Sequence, residues 1–239
     1  MGEGGGSTKG MDAPTTCQAR SIVVVLDASG SMYPDRRETV DALNALLMGE
    51  VRQQALPPQT RLFIYTFNTR HSQLTDPSGM LLSKFEGISY ADYECKVGGE
   101  TALYDVLDEL IEVHTEATFV IISDGRDNAS TRVSEAEVQR TVAFARDYRG
   151  CAFKFVGEGL DAEHTGLSIG MAKGDMFLSN GQLASVLSSN DVSTALSQSM
   201  TVTSPDMMPP FLPAARKRRK KKKEEESAAG FTDSQNIDL

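Results

Sequence analysis

The chain has 239 residues, 40% of them hydrophobic and 24% charged, with a formal net charge of −9. That length suits one ordinary domain with tails, and the apolar fraction is enough for a core without disulfide staples. No apolar run approaches the roughly 20 residues of a membrane-spanning helix, and the glycine-rich start lacks the apolar centre of a secretory signal, so an intracellular protein is expected.

The charge is uneven. Residues 216–223 read RKRRKKKK and carry +8, while residues 224–239 carry −5, which leaves −12 on residues 1–215. The body is therefore a poor nucleic-acid binder by bulk electrostatics, and the tail is the opposite. Cys17, Cys95 and Cys151 are odd in number and widely spaced. They read as reduced thiols, with Cys151 buried at a strand start and a reactive role for Cys95 as the alternative.

In chain order, residues 1–19 have the composition of a disordered leader. Ser21–Asp27 (SIVVVLD) is a β-branched run that suits a strand buried on both faces. From Asp35 to Gln54, Val40, Leu43, Leu46, Leu47 and Val51 recur at helical spacing, and Pro57 and Pro58 follow. Arg61–Asn68 reads as a second strand. Leu74 and Met80–Leu82 read as short edge strands around the turn at Asp76–Gly79. A helix is expected at Ala102–His114, a strand at Ala117–Gly125, a helix at Ser134–Tyr148 and a strand at Cys151–Gly157. A short helix starting near Asp161, a strand at Asp175–Leu178 and one last helix at Leu183–Met200 complete the pattern.

Alternation of this kind implies an α/β fold of the Rossmann-like, doubly wound kind, with a mostly parallel sheet and helices on both faces. The domain should span about 20–200, and residues 201–239 form a proline-containing linker and a basic-then-acidic disordered tail. In such folds ligands bind beyond the carboxyl ends of the strands, where the strand order reverses.

Three separated segments fall at that edge: Asp27-Ala28-Ser29-Gly30-Ser31 after the first strand, Gly98-Gly99-Glu100-Thr101 before a helix, and Ser123-Asp124-Gly125 after another strand. Taken alone, D-x-S-x-S would also fit a capped strand-to-helix turn. Three blocks in this order resemble the metal-ion-dependent adhesion site of von Willebrand factor A (vWA) domains, whose D-x-S-x-S, threonine and aspartate are matched by Asp27, Ser29, Ser31, Thr101 and Asp124. The resemblance covers roughly residues 20–200. It implies a vWA fold, a Mg²⁺ ion (with Mn²⁺ or Ca²⁺ as alternatives) on those five side chains, and a partner protein whose Glu or Asp completes the coordination. The donor chemistry agrees, because Mg²⁺ takes oxygen ligands and a set without His or Cys disfavours Zn²⁺.

The remaining signals are weaker. Gly157-Glu158-Gly159-Leu160-Asp161-Ala162 matches a fragment of the dinucleotide fingerprint, but Glu158 would repel a pyrophosphate, and a tight turn into a helix explains it better. Asp27-x-Ser29 lacks the second aspartate of aspartate-nucleophile phosphatases. His71, His114 and His164 are scattered and read as surface or helix-end residues. Asp127 and Asn128 read either as shaping the rim of the metal loop, as pairing with Arg126 or Arg132, or as ordinary solvated loop residues, and Met32 and Tyr33 either as partner contacts or as solvated loop residues. No residue set supports catalysis, so a binding module is expected and not an enzyme. The run Arg216–Lys223 reads as a nuclear-import signal met by an import receptor or as a nucleic-acid-binding element, with a solvated tail of no function and, last, a membrane-surface contact as the alternatives. The competing view is thus a nuclear protein in which the tail binds polyanions and the domain is scaffold; without a nuclear address the expected compartment is the cytoplasm.

Overall fold

The structure, a computed structural model, describes residues 20–53 and 56–201. The leader with Cys17 and the tail with Arg216–Lys223 lie outside the described residues.

The β-branched runs form the sheet interior. β1 (Ser21–Asp27), β2 (Arg61–Phe67), β5 (Ala117–Ser123) and β6 (Ala152–Glu158) pair in parallel, and β7 (Met176–Ser179) extends the sheet beyond β6. Two short antiparallel pieces, β3 (His71–Gln73) and β4 (Met80–Leu81), share the free edge of β2. The strand order is β3-β2-β1-β5-β6-β7. It runs one way from β1 to β2 and the other way from β1 through β5 to β7, so the reversal lies between β1 and β5.

Side chains alternate across β1, and both faces are covered. Ile22, Val24 and Leu26 pack under α1 (Arg36–Gln53), α6 (Leu183–Leu187) and α7 (Asn190–Thr201). Val23 and Val25 pack on the other face with α3 (Leu103–Val113), α4 (Glu135–Tyr148) and α5 (Gly159–Ser168). Leu103, Val106, Leu107 and Leu110 give α3 one continuous apolar face, as their spacing requires. A capping box, Ser134 with Glu137, starts α4.

The elements differ from the sequence expectation in a few places. The edge strand before the Asp76–Gly79 turn is His71–Gln73, not Leu74, although the Leu74 N–H still donates to the Ile64 carbonyl (2.8 Å). A five-residue helix, α2 (Tyr90–Glu94), sits where no element was expected. The last helix is two. Leu183 and Leu187 are four apart, as are Val192, Leu196 and Met200, but Leu187 and Val192 are five apart. One straight helix cannot keep both sets on one face, so the break at Ser188-Ser189 restores the phase.

The glycine fragment has a packing explanation. A Cβ on Gly157 would lie 2.5 Å from the Ala162 Cβ and 2.9 Å from the Ser123 carbonyl oxygen, so the closeness of α5 to the sheet depends on its absence. Gly159, at φ +74°, turns the chain into α5 two residues before the expected start. His114 ends α3 but is buried, with Phe63 (4.6 Å between centroids), Tyr65 and Phe119 around it and Tyr65 Oη 2.9 Å from Nε2. His71 pairs with Glu109 (3.2 Å), and His164 lies on α5. Cys151 is buried and Cys95 exposed, both as free thiols. Among the described residues no helix is long and apolar enough to cross a membrane.

This packing can be tested at two positions. Gly157→Ala should destabilise the domain by about 1–3 kcal/mol through overpacking, while Gly174→Ala, with nothing within 4 Å and an ordinary φ, should not. Urea midpoints compare them, and equal midpoints would refute the close-packing account. Desolvation lowers the His114 pKa from 6.5 to about 4. The neutral ring is favoured in the folded state, so its contribution is complete above about pH 6.5 and lost as pH falls toward 4; the difference is on the order of 3 kcal/mol. His114→Gln should therefore show a flatter loss of stability between pH 6.5 and 4 than the parent, and parallel curves would contradict the assignment.

Candidate metal centre

The carboxyl ends of β1 and β5 bring the three sequence blocks together at the strand-order reversal. Asp27, the last residue of β1, is fully buried. The Ser29 N–H donates to its Oδ1 (2.7 Å) and the Ser123 hydroxyl to its Oδ2 (2.5 Å). The Tyr93 hydroxyl donates to its main-chain carbonyl (2.6 Å). Burial is the main influence on this carboxyl and pushes it up to about 6, against the opposing pull of the Ser123 and Ser29 bonds. Tyr93 is raised too, by burial and by the Asp27 and Asp124 charges, which keeps its phenol a donor.

The loop after β1 turns back over the sheet. Ser29 Oγ lies 3.0 Å from Ser31 Oγ, and the Ser31 hydroxyl donates to Asp124 Oδ1 (2.8 Å). This chain of contacts joins two segments more than ninety residues apart in sequence. Burial, with Asp35 nearby, raises the Asp124 carboxyl above its ordinary value.

Thr101 comes from the third block. Its N–H donates to the Asn128 side chain (2.8 Å), and its carbonyl accepts from the Asn128 and Ala129 N–H groups (2.9 and 3.0 Å). These bonds run through the backbone and do not use the hydroxyl. A methyl placed on Gly125 would lie 3.5 Å from Ser31 Oγ and 3.9 Å from Thr101 Oγ1, so both hydroxyls face the same point beside Gly125. Gly98 (φ +146°) and Gly99 (φ +80°) shape the approach to Thr101. They tie it to the first loop, since Gly98 N–H donates to the Ala28 carbonyl (2.8 Å) and Gly30 N–H to the Gly99 carbonyl (3.0 Å).

All five sequence-derived residues thus share one site, and their chemistry fits a hard divalent cation. They offer three hydroxyls and two carboxylates, with no nitrogen or sulfur donor. Among the described residues no cluster of three His, Cys, Asp or Glu side chains is placed to hold a metal, so an ion here would depend on hydroxyls as much as on carboxylates.

Several supporting roles were not found from the sequence. Ser123 and Tyr93 hold Asp27 from other segments. Asp105, buried in the first turn of α3, accepts the N–H groups of Thr131, Arg132 and Val133 and so fastens the loop after β5. Asn128 does shape the site, through Thr101. Asp127 instead accepts from the Tyr104 N–H (3.0 Å) and the Ser130 hydroxyl (2.6 Å). Arg126 pairs with Asp161, and Arg132 with Asp105 and Glu109, not with Asp127. Met32 is buried in the core and unavailable to a partner, whereas Tyr33 is 59% exposed beneath the Arg36 guanidinium.

The comparisons with known proteins agree with the fold. The family model for VWA domain containing CoxE-like protein matches residues 11–186. No curated protein matches the chain. Among solved structures, proximal thread matrix protein 1 from the mussel byssus, in its second crystal form, is similar at 16% identity and a TM-score of 0.53, over 76% of this chain and 48% of that one. A von Willebrand factor type A structure from Catenulispora acidiphila is similar at 16% identity and 0.51, over 76% and 43%. The byssus protein with a zinc-occupied MIDAS motif is similar at 15% identity and 0.51, over 76% and 47%. The chain spans less than half the length of each of these structures, and at such identities the likeness is one of fold. The family match, over well more than half of the sequence, shows that the chain belongs to the VWA domain containing CoxE-like proteins.

Proposed function

We propose that this domain is an intracellular, metal-dependent protein-interaction module and not an enzyme. In this reading Asp27, Ser29, Ser31, Thr101 and Asp124 hold Mg²⁺, and an acidic side chain of a partner protein completes the site. The observation that carries it is the contact chain Ser29–Ser31–Asp124 in front of the buried Asp27 carboxylate. When bound, the cation supplies the positive charge that lets an acidic domain accept an acidic partner.

Each residue has a distinct part. Asp27 provides fixed negative charge from beneath, oriented by Ser29 N–H and Ser123. Ser29, Ser31 and Thr101 offer neutral oxygens, so the ion's charge is balanced by Asp27 and Asp124 alone. Asp124 orients Ser31 and adds charge at the rim. A buried carboxylate costs free energy without a compensating charge, so cation binding at this place is coupled to stability.

The test is a Mg²⁺ titration of the full chain, followed by calorimetry and thermal unfolding. Saturating Mg²⁺ at about 100 times Kd should stabilise the fold by about 2.7 kcal/mol. Asp27→Asn should remove that gain and weaken Mg²⁺ binding at least about tenfold, while keeping native circular dichroism. An Asp27→Asn variant that titrates like the parent would rule out this site. A fluorescent peptide with one Glu should bind with Mg²⁺ and lose affinity in chelator, and equal affinity in both would defeat the metal bridge.

A further inference from the structure

Beside the metal loop lies a cavity of about 240 Å³, whose lining includes Ala28, Asn68, Arg70, His71, Cys95 and Lys96. Its wall is shared with the candidate metal centre, because Ala28 directly follows Asp27 and donates its N–H to the Phe67 carbonyl (2.6 Å). The floor is fixed. Asn68 donates its side-chain amide to the Lys96 carbonyl (3.1 Å) and accepts the Arg70 N–H (3.3 Å), so the two loops are tied together. The Ala102 N–H donates to the Asn68 carbonyl (2.9 Å), which joins the same loop to the start of α3, next to Thr101.

The charged side chains lining this cavity are basic, opposite in sign to the net charge of residues 1–215. Arg70, His71 and Lys96 line it, and no carboxylate does. The carboxylate facing His71 is Glu109, from α3. Neither Arg70 nor Lys96 takes part in the ion pairs found among the described residues. Two cations outside those ion pairs therefore sit at a concave place in a body whose net charge is strongly negative. The cavity is smaller than the roughly 300–1,000 Å³ of small-molecule clefts, and its size suits a single side chain.

We infer that this cavity receives a second anionic group, carboxylate or phosphate, from the same acidic segment whose first acid meets the metal. The inference rests on the metal reading given above. It makes the partner's recognised element a short peptide with two anions, one over the Ser29–Ser31–Asp124 cluster and one against Arg70 and Lys96. Both groups are held on one chain, so the second contact forms at high effective concentration. Arg70 offers a forked pair of donors and Lys96 a point charge, and both suit an oxyanion.

The experiment uses the full chain with Mg²⁺ and fluorescein-labelled Gly-Ser peptides of equal length. One peptide carries a single Glu. Others carry, one to four residues away from it, a second Glu, a phosphoserine or a neutral Gln. At least one two-anion peptide should bind about tenfold tighter or more than the single-Glu and Glu/Gln peptides. The better of Glu and phosphoserine identifies the anion. The double variant Arg70→Gln/Lys96→Gln should lose that gain and keep the Mg²⁺-dependent binding of the single-Glu peptide. Arg140→Gln, a loss of one positive charge on the exposed face of α4, should leave the gain intact. The tight peptide should also slow alkylation of Cys95, located by mass spectrometry. The inference is overturned if no second anion improves binding, if the double variant keeps the gain, or if Arg140→Gln removes it equally. Binding of every peptide that ignores chelator defeats the metal reading and the two-point arrangement with it, a pattern distinct from loss of the second contact alone.

Discussion

A carboxylate with no exposed surface, at the end of a central strand, is the constraint around which this domain is arranged. Asp27 lies where the sheet order reverses, and that position is forced by the topology: the helix after β1 leaves over one face, and the helix before β5 returns over the other. The chains diverge there and leave a gap at the carboxyl edge. The Asp27 charge in that gap is met by a backbone N–H and a serine hydroxyl, and no Lys or Arg bonds it among the described residues. A site so built favours a cation from solution.

The surrounding structure fixes the loops that converge on this point. Asp105 gathers three N–H groups of one loop, Asn128 clasps Thr101, and Gly98 and Gly30 stitch the first and second blocks together. These are short, buried or half-buried bonds between segments far apart in sequence, and unpaired N–H groups would be costly there. The hydroxyls of Ser29, Ser31 and Thr101 thus come from loops held by the rest of the fold, and little ordering is left to do when a ligand arrives.

Much of this was legible in the sequence, for identifiable reasons. The β-branched runs at Ser21–Asp27 and Ala117–Ser123 have one sensible use, as strands buried on both faces, and that is where they lie. The three blocks carrying Asp27, Ser29, Ser31, Thr101 and Asp124 could be read through their resemblance, in order, to the vWA metal-site pattern, each block following a strand or preceding a helix. What was not legible has equally physical causes. Helix α2 has five residues, too few to show a period, so Tyr93 and its bond to the Asp27 carbonyl gave no signal. Asp105 looked like an ordinary polar residue of an amphipathic helix, because its partners are 26 to 28 residues away. Met32 stands among loop residues in sequence, but its side chain turns into the core, and only the three-dimensional path of the loop decides that.

The most direct test of the central claim is anomalous scattering from crystals of the full chain soaked in Mn²⁺, a stand-in for Mg²⁺ that scatters strongly. The account requires one dominant peak within coordination distance of the Ser29, Ser31 and Thr101 hydroxyls, absent from Asp27→Asn crystals. A dominant peak elsewhere, or none at this edge of the sheet under saturating Mn²⁺, would contradict it.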